Sequence, residues 1–340
     1  FMNEILYKFQ KATGLNTIAD ETIRLAIESG EVMDQISKIT GKNILFRTGV
    51  VRVAYNTEET AEMNELAEQL AEYNINCHKI DPVEMEELCG VKLSNMPPDA
   101  SAWSIEGDGY MAPNAYDHLL EEFENNGGVI KKGHLEKILY DENSQRVKGL
   151  IYKDKDGEQL LHTDSVYCSL GYEANYDNMV TEANHIEPLI PGTGYSGFIA
   201  AEKEIKVPVD SNNTHFTPVA YLPLNGKTYT LIKVTCGGTI GYDGFNADHA
   251  KNSIYYATDL IFPDVPVHML SARACSRPLN QTNNGKLTQV LPGLSVATGF
   301  GGKGVTDAAG FAAGNIASIC GHAAASEFSR LMAQNDSKTL

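Results

Sequence analysis

The chain has 340 residues, 42% apolar and 21% charged, with 44 acidic against 27 basic side chains and a formal charge of -17 at pH 7. This composition suits a well-packed soluble chain of about two domains and excludes a disordered one. The charge argues against a general nucleic-acid or anionic-membrane surface but leaves room for a local basic pocket around a small anion.

No run of about 18 apolar residues occurs, so no transmembrane contact is expected. No signal peptide is visible, and the first residues are Phe1-Met2-Asn3-Glu4. Cys77, Cys89, Cys168, Cys236, Cys275 and Cys320 are scattered, with no CxxC or Cys/His cluster. Reduced, mostly buried thiols in a cytoplasmic-type protein are expected.

Ile5, Leu6, Phe9 and Ala12 mark one helical face, ended by Gly14. A second helical run covers Asp20 to Thr40, and Gly30 in its middle predicts two short helices. Residues 44–54 read as a strand or hairpin. Asn56-Thr57-Glu58-Glu59 is a capping box, and the helix behind it lines up Met63, Leu66, Leu70 and Tyr73. Asp81-Pro82-Val83-Glu84 starts another helix that stops near Gly90. Residues 91–112 read as irregular. Pro113 opens a helix with Tyr116, Leu119, Leu120 and Phe123 inward. Strands are expected near 129–132, 135–140, 146–153 and 159–169, with a tight turn at Asp156-Gly157. Residues 185–240 are strand-like, and Asn225-Gly226 is a hairpin turn. Asp248 is a candidate cap for a helix toward Leu260. A further β stretch covers 267–275. The chain then reads strand, glycine turn, helix and terminal helix to about Met332.

Two features carry chemistry. A short apolar strand, Leu294 to Thr298, enters Gly299-Phe300-Gly301-Gly302-Lys303-Gly304-Val305 and then a small-residue helix with Gly310 and Gly314. Such glycine density turns the chain sharply, or lets backbone N–H groups approach a flat ring or an anion at a helix N-terminus. It is not a P-loop, because Gly304 follows Lys303. The second feature is Arg273, Cys275 and Arg277 on one face of a strand that Pro278 is expected to break. An arginine fork there suits a carboxylate, and a structural ion pair is the alternative. His215 and His249 read as surface residues. Ser196 lacks a nucleophile-elbow context. Tyr221, Tyr229 and Tyr242 read as core or sheet-face residues.

The order and spacing of several segments resemble the FAD-dependent D-amino-acid oxidase/dehydrogenase superfamily, most of all its bacterial D-amino-acid dehydrogenases. These segments are Gly49 to Ala54, Glu106 to Pro113, Val147 to Tyr152, His162 to Tyr172 with Gly171, Ser276-Arg277-Pro278, and Gly299 to Gly304. The resemblance implies an α/β (α+β) fold: an FAD/NAD(P)-binding-like layered domain, incomplete at the N-terminus, interleaved with a β-rich substrate domain. The expected division is a helical segment 1–43, a substrate domain 44–112 with 185–260, a cofactor domain 113–184 with 261–325, and a C-terminal helix and tail 326–340.

The family's opening strand, GxGxxG and helix, which hold the FAD pyrophosphate, have no match in this sequence; Phe1 aligns inside the family's next helical region. A longer native protein, a partner chain supplying the dinucleotide-binding unit, and a degenerate homologue without FAD are the three expectations. Further departures are Cys275-Ser276 before Arg277-Pro278, Asn283-Asn284-Gly285 in place of Pro-Asp-Gly, and Phe300 in place of the common His. The family's second substrate arginine has no evident match; Tyr221 lies near its place. The resemblance implies that FAD is the cofactor, contacted by Gly171, Gly299, Phe300, Gly301, Gly302, Lys303, Gly304 and Val305. It implies that Arg277 grips the α-carboxylate of a small amino-acid substrate and that Tyr242 belongs to a substrate lid. The implied reaction is oxidation of the Cα–N bond to an imine and 2-oxo acid. A non-catalytic binding or assembly protein and a glycine- or sarcosine-type oxidase are the alternatives. The implied location is the cytoplasm or the inner-membrane surface.

Overall fold

The computed structural model describes residues 17–92, 96–172, 189–211, 214–237, 240–241, 246–280 and 285–336. Along these the elements are α1 (Thr17–Thr40), β1 (Leu45–Phe46), β2 (Val50–Ala54), α2 (Thr57–Glu72), β3 (Cys77–Ile80), α3 (Pro82–Cys89), β4 (Ser101–Ile105), β5 (Tyr110–Met111) and α4 (Ala115–Asn125). They continue as β6 (His134–Tyr140), β7 (Val147–Asp154), β8 (Gly157–His162), β9 (Val166–Cys168), β10 (Ile190–Ala201), β11 (Val209–Ser211), β12 (Thr214–Leu224), β13 (Lys227–Cys236) and α5 (Ala247–Ile261). The last are β14 (Val267–Leu279), β15 (Lys286–Leu291), β16 (Leu294–Thr298), α6 (Gly304–Gly314), α7 (Ile316–Cys320) and α8 (His322–Asp336). No helix of the described residues is long and apolar enough to cross a membrane. All six cysteines are free thiols.

The chain divides into two compact units. The first holds Asn43–Tyr116 and Thr193–Ser276. Its centre is a mixed eight-stranded sheet in the order β14-β10-β13-β12-β11-β2-β4-β3. Alternation on β13 sends Ile232, Val234 and Cys236 to one buried face and Lys233 and Thr235 to the other. The buried face meets Ile254 and Ile261 of α5, Met85 of α3, and Phe216 edge-on to Phe262 at 5.2 Å. Local signals place the helices. Asn56 caps α2 by accepting from the Glu59 N–H, while the Glu59 carboxylate accepts from the Tyr55 N–H. Asp81 caps α3, Pro82 opens it, and Gly90 ends it at φ 68°. Asn225 and Gly226, both at positive φ, turn β12 into β13.

Several expectations change here. Residues 91–112 contain β4, which runs antiparallel between β2 and β3 and carries the buried Trp103. Residues 44–54 form two strands in different sheets, because Gly49 turns the chain at φ 73° between them. Asn246, not Asp248, caps α5: its side chain accepts from the Asp248 and His249 N–H groups. The unit ends at Ser276, beyond the boundary expected near 260, since α5 and β14 pack on the sheet core.

The second unit holds Thr17–Lys42, Asp117–Gly192 and Arg277–Leu340. It contains the sheets β15-β16-β9 and β6-β7-β8. Ile138, Val147, Cys168, Val290, Leu294 and Val296 form a shared core. α1 packs along α6, so residues 17–42 join this unit rather than standing alone. That packing also keeps α1 continuous through the buried Gly30, where two helices were expected. Val129 to Lys132 is not a strand, and Val129 is exposed. Residues 159–169 split between β8 and β9, which belong to different sheets. Tyr116 and Phe123 of α4 are exposed, not inward; Gly128 closes against the Phe123 ring. β14 passes through Pro278 to Leu279, where Leu279 bridges Phe300. The expected N-terminal helix lies outside the described residues.

Candidate cofactor site

β9 and β16 run parallel, with Val166 opposite Leu294 and Cys168 opposite Val296. Their carboxyl ends therefore lie side by side, where open α/β sheets bind ligands. Gly171 follows β9 at φ 61°, and Gly299 follows β16 at φ 84°. The Thr298 hydroxyl reaches the Gly171 carbonyl at 3.4 Å, joining the two loops. The Gly301 N–H donates to the Pro278 carbonyl at 2.8 Å, and Leu279 pairs with Phe300. These contacts bring the end of β14 onto the glycine turn. Arg277, half-buried, lies so close that a Cβ added to Gly302 would be 3.5 Å from its Nη1. The Phe300 ring packs edge-on to Phe311 at 4.8 Å. Gly285 is required beneath that ring, since a Cβ there would sit 2.3 Å from Phe300 Cε1.

Behind the turn, α6 begins with Lys303 as N-cap and no side-chain cap bond. Asp307 makes the first helical bond, to the Lys303 carbonyl. The N–H groups of Gly304, Val305 and Thr306 thus have no backbone acceptor among the described residues. Val305 is exposed beside them. Lys303 folds back, its Nζ 3.5 Å from the Thr22 hydroxyl, and burial lowers its ammonium pKa against the pull of Asp307. Burial raises the Asp307 carboxyl, with Lys303 opposing, and its Oδ1 is buried with no hydrogen-bond partner.

The expected site residues Gly171, Arg277 and Gly299–Val305 thus come together in one unit. Tyr242 lies outside the described residues. Asp307 was missed; its signal was an acid four residues after Lys303 on an otherwise apolar helix. Ser196 accepts a hydrogen bond from Arg273 Nε at 3.1 Å, and His215 Nδ1 lies 2.8 Å from Asp210 Oδ1. Among the described residues no group of three His, Cys, Asp or Glu could hold a metal.

A search of curated protein sequences finds no match. The family model for FAD dependent oxidoreductases, DAO, matches residues 8–316. The chain belongs to that family. Among solved structures, glycine oxidase from Bacillus cereus ATCC 14579 superposes with a TM-score of 0.66 at 16% identity, over 90% of this chain and 80% of that one. L-proline dehydrogenase from P. horikoshii gives 0.66 at 18%, over 85% and 76%. Iminodiacetate oxidase from Chelativorans sp. BNC1 gives 0.64 at 16%, over 87% and 78%. The fold is therefore the mixed α/β fold of these proteins.

FAD is the cofactor of this family, and the residues at the turn fit one edge of it. The three donors at the start of α6, the side-chain-free Gly301 and Gly302, and the nearby guanidinium suit an electron-rich ring edge.

Proposed function

We propose that the protein oxidises the Cα–N bond of a small amino acid, with D-amino acids as its substrates. The observation that carries this reading is the placement of Arg277 beside Gly302, at a turn whose amides suit a flavin edge. The chemistry that FAD would supply when bound is acceptance of a hydride from the substrate Cα, and the resulting imine would be hydrolysed by water to a 2-oxo acid and ammonia. Arg277 would bind the α-carboxylate through two parallel hydrogen bonds and so fix the direction of the Cα–H bond. Loss of the ammonium proton to water requires no side-chain base. Amides of Gly304, Val305 and Thr306 would stabilise negative charge arising at the ring edge. Gly302 keeps the space beside the guanidinium open.

The likeness to a glycine oxidase and an iminodiacetate oxidase supports glycine-type amines as the second substrate class. The test combines a visible spectrum for bound flavin with turnover of D-alanine, glycine and sarcosine, using oxygen and a quinone as acceptors. Arg277→Met is expected to raise KM by about a hundred-fold, the loss of a charge-assisted carboxylate pair, with flavin content unchanged. Unchanged KM removes Arg277 from the site. A flavin-free protein with no turnover favours the non-catalytic binding reading.

A further inference from the structure

Residues directly opposite each other on paired strands share a face of the sheet. In the first unit the register joins Arg52 to Asp210, Asp210 to His215, His215 to Thr235 and Thr235 to Ser196. Arg273 Nε donates to Ser196 Oγ and adds β14. One polar row thus crosses six strands on the face opposite the apolar core. The next row pairs Phe198 with Lys233.

At the β14 end of this face the charge is one-sided. Arg273 and Lys233 are exposed, and Phe198, on the strand between them, is 38% exposed. The hydrogen bond to Ser196 fixes the guanidinium through Nε and leaves its η nitrogens outside that bond. Among the described residues neither those nitrogens nor the Lys233 ammonium has a hydrogen-bond or ion-pair partner. Strand spacing and rise put the two Cα atoms roughly 12 Å apart, within reach of two long side chains closing on one small molecule. Unpaired cations flanking an accessible ring are a selective feature in a chain of charge -17.

We infer that the β14-β10-β13 face binds a small organic dicarboxylate, with Arg273 and Lys233 each taking one carboxylate and Phe198 covering the carbon chain. Arg273 presents a fork that matches a carboxylate, and Lys233 adds a point charge. A monocarboxylate satisfies only one cation and binds more weakly.

Calorimetric titration of the full protein with glutarate and with butyrate tests the site. Glutarate is expected to bind about ten-fold more tightly than butyrate, and to lose about ten-fold in affinity in both Arg273→Met and Lys233→Met. Lys155→Met, at an exposed turn, is the control and should bind normally. Lys233→Met breaks no hydrogen bond, so it remains decisive if Arg273→Met fails to fold. Glutarate binding that neither substitution weakens, or no glutarate binding, overturns the inference.

Discussion

Gly310→Ala probes the contact between α1 and α6 that carries the cofactor turn. A Cβ at this position would fall 2.8 Å from the Leu25 carbonyl oxygen and 2.9 Å from the Ser29 nitrogen and hydroxyl. Two of these are backbone atoms of a helix and cannot rotate away. The Gly310 N–H also donates to the Ser29 hydroxyl at 2.8 Å, a bond that displacement would strain. In an open helix the same change stabilises by about 0.5–1 kcal/mol. Overpacking costs about 1–3 kcal/mol, and the weakened bond adds about 1 kcal/mol. The net expectation is destabilisation by about 1–3 kcal/mol. Gly314, at the exposed end of the same helix, has no atom within 4 Å of where a Cβ would stand, so Gly314→Ala should stabilise slightly or be neutral. Urea unfolding of the two variants therefore gives opposite signs for one chemical change. Gly310→Ala as stable as wild type would refute the close approach of the helices.

Asp307→Asn should stabilise the protein at neutral pH, because burial raises the carboxyl from 3.8 and its charged form is the unfavourable one in the fold. A raised folded pKa contributes stability that is full below 3.8 and is lost as pH rises through the folded value. The gain from Asn should therefore shrink as pH falls through the raised folded value and level off below about pH 3.8, read from urea midpoints at several pH values; a pH-independent difference would contradict this. Burial pushes the thiols of Cys89 and Cys168 up to about 12 and about 11. With thiolate scarce and access closed, neither should alkylate in the folded protein at pH 8, whereas the exposed Cys320 should; peptide mass mapping decides it.

Local chemistry made some elements legible. The Asn56 and Asp81 caps, Pro82, Gly90 and the Asn225-Gly226 turn act through atoms within a few residues, and they stand where they were expected. β4 was not legible, since Ser-Ala-Trp-Ser-Ile is buried at nearly every position and shows no period of two. Only its pairing with β2 and β3 makes it a strand. Val129-Ile130 carries β-forming residues without becoming a strand, because propensity without a partner does not make one. Gly30 failed to break α1 because the tertiary contact with α6 outweighs a single unfavourable propensity.

The amino-acid sequence by itself determined the glycine turn, the arginine that precedes Pro278, and the order of segments that places the chain among FAD-dependent oxidoreductases. These are short-range backbone requirements and a linear order, both written in the residues. Tertiary structure alone decided that Arg277 meets Gly302, through the pairing of Leu279 with Phe300, and that Arg273, Ser196, Thr235, His215 and Asp210 share a row. Such juxtapositions depend on which strands pair and in which register, and a slip of one residue would send every one of those side chains to the opposite face.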